Sequence, residues 1–190
     1  FGMPAQLSIQ LERQLDDRIS LVLAEDQILF YRAMAFARKV GELPAVPSPI
    51  GGHEYKEMDI YESSGFFGGA LFHGPAFQIL AGARVQLDRA SAALLINDHS
   101  ESSQRLAMDG ALQLALLWSS FQHQQSGNTK ARFLPMSIHR AERYRSSPSV
   151  AMRLEKVEVR GQSCRSDIYL LDAKERVTLV LSGVQTIAVP

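Results

Sequence analysis

The sequence predicts an α+β fold in which an antiparallel sheet wraps around one long buried helix. Three observations lead to this prediction. The stretch Ser102–Gln124 is a single, mostly apolar segment of helical length. Nearly every other segment alternates apolar and polar residues, as half-buried strands do. The strands follow one another through short turns, which is typical of an antiparallel sheet.

The predicted helix is apolar on almost every side, and helices of that kind lie in the core. We expect Ser102 or Ser103 to cap its start and Ser126-Gly127-Asn128 to end it. Its polar exceptions are Asp109 and Gln113, four residues apart. That spacing places both side chains on one face of the helix.

The N-terminal part predicts a three-stranded antiparallel meander within residues 1–38. Two acidic pairs, Asp16-Asp17 and Glu25-Asp26, are the turn signals between its strands. The predicted strands are Ala5–Leu11, Arg18–Leu23 and Gln27–Arg38.

A stretch rich in proline and glycine follows the meander. Pro44, Pro47, Pro49, Gly51 and Gly52 fall within nine residues. Because this density opposes both helix and central strand, residues 39–65 are predicted to link two structural units. The second unit is predicted to span 66–190.

The second unit supplies the strands around the helix. Two strands are predicted within Phe77–Ile96, and the others in Phe133–Tyr144, Val150–Val159, Cys164–Leu171 and Arg176–Ile187. A phase shift in the alternation within Val150–Val159 predicts a β-bulge. Strands, one buried helix and further antiparallel strands make up the arrangement known as a hot dog fold.

Composition and charge argue against several classes of function. The formal net charge is zero, from 20 basic and 20 acidic residues, so nucleic-acid binding is not favoured. No apolar run reaches the length of a membrane span. Cys164 is the single cysteine, which excludes an internal disulfide and favours the cytoplasm. The scattered histidines predict no metal site.

Asp109 is the strongest candidate for chemistry. Burial penalises an ionised carboxylate and favours the neutral acid, which could donate a proton to a leaving group. Gln113, one turn later, could hold the carboxyl in place by a hydrogen bond. The alternative is a purely structural role at the helix start, although Asp109 lies too deep in the helix to act as a cap.

Two motifs resemble a known family. Leu71–Gln78, LFHGPAFQ, is followed about thirty residues later by DGALQ, which begins at Asp109. In this order and spacing they resemble the second half of the dehydratase domain of polyketide synthases. The resemblance is closest to the iterative branch, which includes enediyne and polyunsaturated fatty acid synthases. The sequence Phe133-Leu134-Pro135 fits the strand that follows the helix in that family. Residues 1–38 resemble the closing strands of a first hot dog more loosely.

The resemblance implies a double hot dog that removes water from a 3-hydroxyacyl chain on acyl carrier protein, giving the trans-2-enoyl thioester without a cofactor. A histidine of the first hot dog would take the α-proton, Asp109 would protonate the departing hydroxyl, and Gln113 would orient Asp109. The residues implied to bind substrate or shape the acyl tunnel are His73, Gly74, Pro75, Phe77, Leu134 and Pro135. For His73 a structural role is implied rather than that of the base.

One element of the family pattern is missing. None of the five histidines begins an HxxxGxxxxP motif, and we expect its position to precede Phe1. Three hypotheses therefore remain: part of a dehydratase, a non-catalytic hot dog scaffold in a megasynthase, or a single-hot-dog acyl thioesterase. The expected partners are acyl carrier protein, other megasynthase domains and a second copy of the chain, with no nucleic acid or membrane.

Overall fold

The computed structural model describes residues 8–13, 18–25, 28–36, 42–51, 55–57, 60–61, 77–96, 101–127 and 131–189. These residues form ten strands and one helix. The chain divides into two compact units, Phe1–Glu42 and Leu43–Pro190.

The first unit contains a three-stranded antiparallel sheet. Its strands are β1 (Ser8–Arg13), β2 (Arg18–Glu25) and β3 (Ile28–Phe36), in the order β1-β2-β3. Ile9 pairs with Leu23 across the first ladder. The predicted meander is confirmed, with strand bounds that shift by a few residues.

The second unit contains a sheet in which the described residues form seven strands, every neighbouring pair antiparallel. The order is β4-β5-β6-β8-β9-β10-β7. The predicted bulge is confirmed by a shift of register between Lys156 and Glu158. The strands are β4 (Lys56–Glu57), β5 (Leu80–Val85), β6 (Arg89–Leu94), β7 (Arg132–Arg143), β8 (Ala151–Arg160), β9 (Ser163–Leu171) and β10 (Val177–Val189).

The helix α1 (Glu101–Gln125) is the centre of this unit. With 25 residues it is about 37 Å long, and it contacts every strand from β5 to β10. Leu114, Leu117 and Trp118 are fully buried, and they belong to the same apolar core as the fully buried Leu154 and Leu181 of the sheet. The predicted hot dog arrangement, one helix wrapped by an antiparallel sheet, is therefore confirmed.

Two side chains of α1 attach it to the turn between β5 and β6. Trp118 Nε1 donates to the carbonyl of Gln86 at 3.2 Å, and Gln122 Nε2 donates to the carbonyl of Leu87 at 2.8 Å. Both bonds join the helix to backbone carbonyls of the turn. The described helix is not apolar enough along its length to cross a membrane.

The start of α1 differs from the prediction. The helix begins at Glu101, so Ser102 and Ser103, predicted as caps, lie inside its first turn. A shift of one or two residues at a helix end is common, because sequence patterns define the buried face better than the terminal residue.

Part of the predicted linker is attached to the second unit. Ile50 and Ile60 are buried, and the short strand β4 pairs with β5. Arg153 Nη1 donates to the carbonyl of Pro47 at 2.7 Å. These contacts bring the described residues from Leu43 to Tyr61 against the sheet.

Candidate active site

Asp109 and Gln113 meet on one face of α1, as their spacing predicts. Gln113 Nε2 donates a hydrogen bond of 2.7 Å to Asp109 Oδ2. Gln113 is fully buried, whereas Asp109 is half-buried. The amide is therefore fixed in the core, and it holds a carboxyl group that reaches the edge of the core.

Gly110 lets α1 approach the sheet closely beside Asp109. A Cβ atom at this position would lie 2.8 Å from Leu94 Cδ2 and 3.2 Å from both Ile79 Cδ1 and Met152 Cε. Any side chain would force these neighbours aside. The absence of a side chain thus sets the distance between the helix and strands β6 and β8 at the level of Asp109.

The amide group of Gln113 has further hydrogen bonds beyond Asp109. Its Nε2 also donates to the carbonyl of Phe77 at 2.8 Å, and its Oε1 accepts from the hydroxyl of Tyr61 at 2.6 Å. The oxygen of that hydroxyl accepts a hydrogen bond of 3.0 Å from the backbone N–H of Leu80. The amide of Gln113 therefore connects three segments: the helix, the residues at and just before the start of β5, and Tyr61.

Tyr61 is held in its neutral form. Burial raises the pKa of its phenol, the hydrogen bonds with the backbone at Leu80 and Ile79 oppose that rise, and a negative charge on nearby Asp109, when that group is ionised, adds to it. The net rise keeps the hydroxyl proton in place at neutral pH. Tyr61 is therefore a hydrogen-bond donor toward Gln113.

This arrangement suits proton transfer by Asp109. Among the described residues, the hydrogen-bond partner of its carboxyl is Gln113, through Oδ2. A neutral amide donor orients a carboxyl without the fixed positive charge that would keep it ionised. A carboxyl of this kind, at the edge of an apolar core, can act as a general acid.

The predicted site residues are only partly brought together. Phe77 joins the cluster through its backbone carbonyl, while its side chain is 49% exposed. Leu134 and Pro135 lie on β7 and are exposed, and Phe133 beside them is buried in the core. Because side chains alternate along a strand, Leu134 lies on the opposite face of the sheet from Phe133. His73, Gly74 and Pro75 lie outside the described residues.

Tyr61 is the residue of this cluster that sequence reasoning missed. It lies in the proline- and glycine-rich stretch predicted as a linker, and no motif marks it. The available signal was the apolar and aromatic pair Ile60-Tyr61 within an otherwise polar segment. Such a pair indicates attachment to a core, but not attachment to a particular glutamine.

Cys164 and the acidic residues add no second site. Cys164 is 1% exposed, and burial raises the pKa of its thiol, so the reactive thiolate is disfavoured. Among the described residues, no group of three His, Cys, Asp or Glu side chains is placed to hold a metal ion.

Comparison with protein families gives a match over residues 44–190 to the polyketide synthase dehydratase N-terminal domain. The match covers most of the chain, which therefore belongs to the polyketide synthase dehydratase family. A comparison with curated protein sequences gave no match.

Solved structures of such dehydratases share the fold. A dehydratase domain of a mycocerosic acid synthase-like polyketide synthase is 20% identical, with a TM-score of 0.71 over 94% of this chain and 66% of that domain. The dehydratase domain of RzxB from Pseudomonas fluorescens is 15% identical, with a TM-score of 0.72 over 94% of this chain and 66% of that domain. The dehydratase domain of PpsC from Mycobacterium tuberculosis, in complex with C12:1-CoA, is 17% identical, with a TM-score of 0.65 over 96% of this chain and 68% of that domain. The chain thus spans about two thirds of each domain.

Proposed function

We propose that this chain contributes the proton-donating half of a dehydratase active site, which removes water from a 3-hydroxyacyl thioester to give the trans-2-enoyl thioester. The observation that carries the proposal is the pair Asp109 and Gln113. A half-buried carboxyl is oriented by a neutral, fully buried amide at 2.7 Å. Membership of the polyketide synthase dehydratase family supports the reaction type.

In the proposed reaction a base removes the proton from the α-carbon of the thioester. The electron pair of that C–H bond forms the new double bond, and the bond between the β-carbon and its hydroxyl breaks. Neutral Asp109 gives its proton to the departing oxygen, which leaves as water, and Asp109 becomes a carboxylate. The base, now protonated, returns its proton to Asp109 through solvent, so that protons balance over the cycle. No cofactor takes part in this elimination.

The base is proposed to be a histidine from outside these 190 residues, because the sequence holds no HxxxGxxxxP motif. In this proposal, residues 1–38 close a first hot dog and 66–190 form the second, Asp-bearing one. The matched family model is described as an N-terminal domain, so the assignment to the second hot dog rests on the motif around Asp109.

The finer assignments are also proposals. The LFHGPAFQ motif supports the iterative branch, with enediyne and polyunsaturated fatty acid synthases. The substrate would be carried on the phosphopantetheine arm of acyl carrier protein, in a cytoplasmic megasynthase whose dehydratase pairs with a second copy. His73, Gly74, Pro75, Phe77, Leu134 and Pro135 are proposed to shape the acyl path.

The test is a dehydration assay of the intact protein that carries this chain, with 3-hydroxyacyl carrier protein as substrate. Mass spectrometry of the carrier-bound acyl group would show a loss of one water. We expect enoyl product from the wild type and a loss of at least about 100-fold in Asp109→Asn, the scale of one general acid. Equal product from both proteins would contradict the role of Asp109.

A non-catalytic scaffold is the second candidate, favoured by the missing histidine motif. It predicts no enoyl product from wild type or Asp109→Asn, with unchanged folding in both. The thioesterase alternative predicts release of the free acid from the carrier. The same mass spectra distinguish all three outcomes.

A further inference from the structure

Tyr61 links the backbone of β5 to the amide of Gln113. Its hydroxyl oxygen lies 3.0 Å from the Leu80 backbone nitrogen and 2.6 Å from Gln113 Oε1. The hydroxyl therefore lies behind Gln113, with the amide between it and Asp109. Any effect of Tyr61 on a reaction at Asp109 would therefore be transmitted by Gln113.

The hydrogen bonds from Leu80 to Tyr61 and on to Gln113 form a series, and the groups at its two ends determine the direction of each bond. The N–H of Leu80 can only donate and the carbonyl of Phe77 can only accept. Since Tyr61 accepts from Leu80, its own proton is available for Gln113 Oε1. Since Phe77 accepts, Nε2 of Gln113 must face it, and the second Nε2 hydrogen then points to Asp109 Oδ2.

The opposite orientation of the amide would place like groups against each other. Oε1 would face the Phe77 carbonyl at 2.8 Å, and the NH₂ group would face the Tyr61 hydroxyl, whose oxygen already accepts from Leu80. Leaving buried polar groups without partners costs about 1 to 3 kcal/mol each. The observed orientation is thus strongly favoured while Tyr61 donates.

This orientation determines where the proton of neutral Asp109 can be. Oδ2 accepts the Gln113 N–H, and the carbonyl oxygen of a carboxylic acid is a better acceptor than its hydroxyl oxygen, so the acidic proton is favoured on Oδ1. We propose that Tyr61 is a positioning residue which, by fixing the amide of Gln113, keeps the acidic proton of Asp109 on Oδ1, where it can be given to the substrate. This inference rests on the proposed dehydratase function.

Without the Tyr61 hydroxyl, the amide of Gln113 loses one of the two contacts that fix its orientation, and only the Phe77 carbonyl still opposes the turned-over form. In the fraction of molecules with a turned-over amide, Gln113 Oε1 faces Asp109 Oδ2 and accepts the acidic proton itself. The proton would be directed into the core and away from the substrate, while the neutral form of Asp109 would gain a hydrogen bond. The expected result is a lower maximal rate that persists to higher pH.

The test compares Tyr61→Phe with Tyr169→Phe in the intact protein. Tyr169 is a suitable control because it is partly buried in a separate apolar cluster with Leu171 and Val177, and burial raises its pKa as well. We expect Tyr61→Phe to lower kcat about 10- to 100-fold, the scale of a misplaced reacting group. KM should stay within about twofold, and the basic limb of the pH–kcat profile should move to higher pH. Tyr169→Phe should behave as wild type.

A merely structural role for Tyr61 predicts another pattern. The melting temperature of Tyr61→Phe would fall, but kcat per folded molecule and the basic limb would match the wild type. That result would overturn the proposal. The wild type and Asp109→Asn in the same series separate the claims. A wild type that makes no enoyl product contradicts the dehydratase function, and a fully active Asp109→Asn contradicts the role of Asp109. An inactive Asp109→Asn with a normal Tyr61→Phe contradicts only the role of Tyr61.

Site-specific replacement of Tyr61 by a fluorinated tyrosine gives a second test that keeps the packing. The number of fluorines is chosen so that the phenol, despite the rise in pKa caused by burial, ionises below the basic limb of the wild type, which the absorbance of the phenolate checks. The phenolate still accepts from Leu80 but cannot donate to Gln113. We expect kcat to fall at lower pH than in the wild type. An unchanged basic limb in this protein would contradict the proposal, even if Tyr61→Phe did not fold.

Discussion

Asp109 and Asp172 are both aspartates at the edge of the core, but their hydrogen bonds differ. Asp172 lies at the turn between β9 and β10, where Oδ1 accepts from the backbone N–H groups of Lys174 and Arg176. Its Oδ2 accepts from Ser147 and from the Arg176 guanidinium at 2.7 and 2.9 Å. The carboxyl of Asp109, among the described residues, has the neutral amide of Gln113.

The difference separates a structural carboxylate from a reactive one. The Arg176 side chain, together with the backbone donors and Ser147, holds the pKa of Asp172 far below its usual range, so this group stays ionised. At Asp109 one oxygen is held by a neutral donor, and no described residue forms an ion pair with the carboxyl. Only the second arrangement suits a group that must gain and lose a proton in each cycle.

The largest effect is expected for activity at Asp109. Asp109→Asn removes the acidic proton but keeps the shape of the side chain, so we expect kcat to fall about 100-fold or more. Stability should change by less than about 1 kcal/mol, since Asn can still accept from Gln113. Dehydration assays and urea unfolding would measure both. A large loss of stability with a normal kcat would show that Asp109 is a structural carboxylate, which would contradict the comparison.

Asp172→Asn should give the opposite result. Its NH₂ group would face the Arg176 guanidinium, so bonds of Oδ2 are lost while those of Oδ1 can remain. We expect a loss of about 1 to 3 kcal/mol in the free energy of unfolding and unchanged kcat per folded molecule. Urea unfolding at neutral pH would test this, and a variant as stable as wild type would contradict it.

The pH dependence of stability should sharpen the contrast. Because the folded-state pKa of Asp172 lies below its unfolded value of about 3.9, its contribution is fully present above that pH and is lost as the pH falls below it. The stability difference between wild type and Asp172→Asn should therefore be constant from about pH 7 to 5 and shrink toward pH 3. A difference that grew at acidic pH would contradict the assignment.

The smallest effect is expected at Gly110. In Gly110→Ala the new methyl displaces the ends of Leu94, Ile79 and Met152, which costs about 1 to 3 kcal/mol. A gain of about 1 kcal/mol in helix propensity offsets part of it. We expect a small net loss of stability and a several-fold lower kcat, as α1 moves beside Asp109. An unchanged kcat would contradict this prediction, because it would show that the distance between α1 and the sheet does not affect the reaction rate.

The sequence predicts the fold well because burial leaves a strong periodic signal. The apolar stretch from Ser102 to Gln124 indicates α1 to within one residue at each end, and alternation indicates the strands from β5 to β10. The bulge in β8 was visible as a phase shift. The cap was predicted wrongly, because Ser102 and Ser103 suit the first turn of a helix as well as its cap.

The candidate site was predictable only along the helix. Asp109 and Gln113 lie four residues apart, so helical geometry alone brings them together. Tyr61 lies 52 residues before Gln113, and its contact depends on how Leu43–Tyr61 packs on the sheet, which no local pattern encodes. Phe77 was predicted as a residue of the acyl path, but the bond of its carbonyl to Gln113 was missed, because a backbone carbonyl has no sequence signature.

The central claim is that the Asp109 oxygen not held by Gln113 gives the proton. A crystal structure of the intact protein with a non-eliminating 3-hydroxyacyl pantetheine analogue would test it most directly. We expect the 3-hydroxyl oxygen within about 3 Å of Asp109 Oδ1, with the Gln113 amide still bonded to Oδ2. A hydroxyl bound away from Asp109, or bonded to Oδ2 in place of Gln113, would contradict the account.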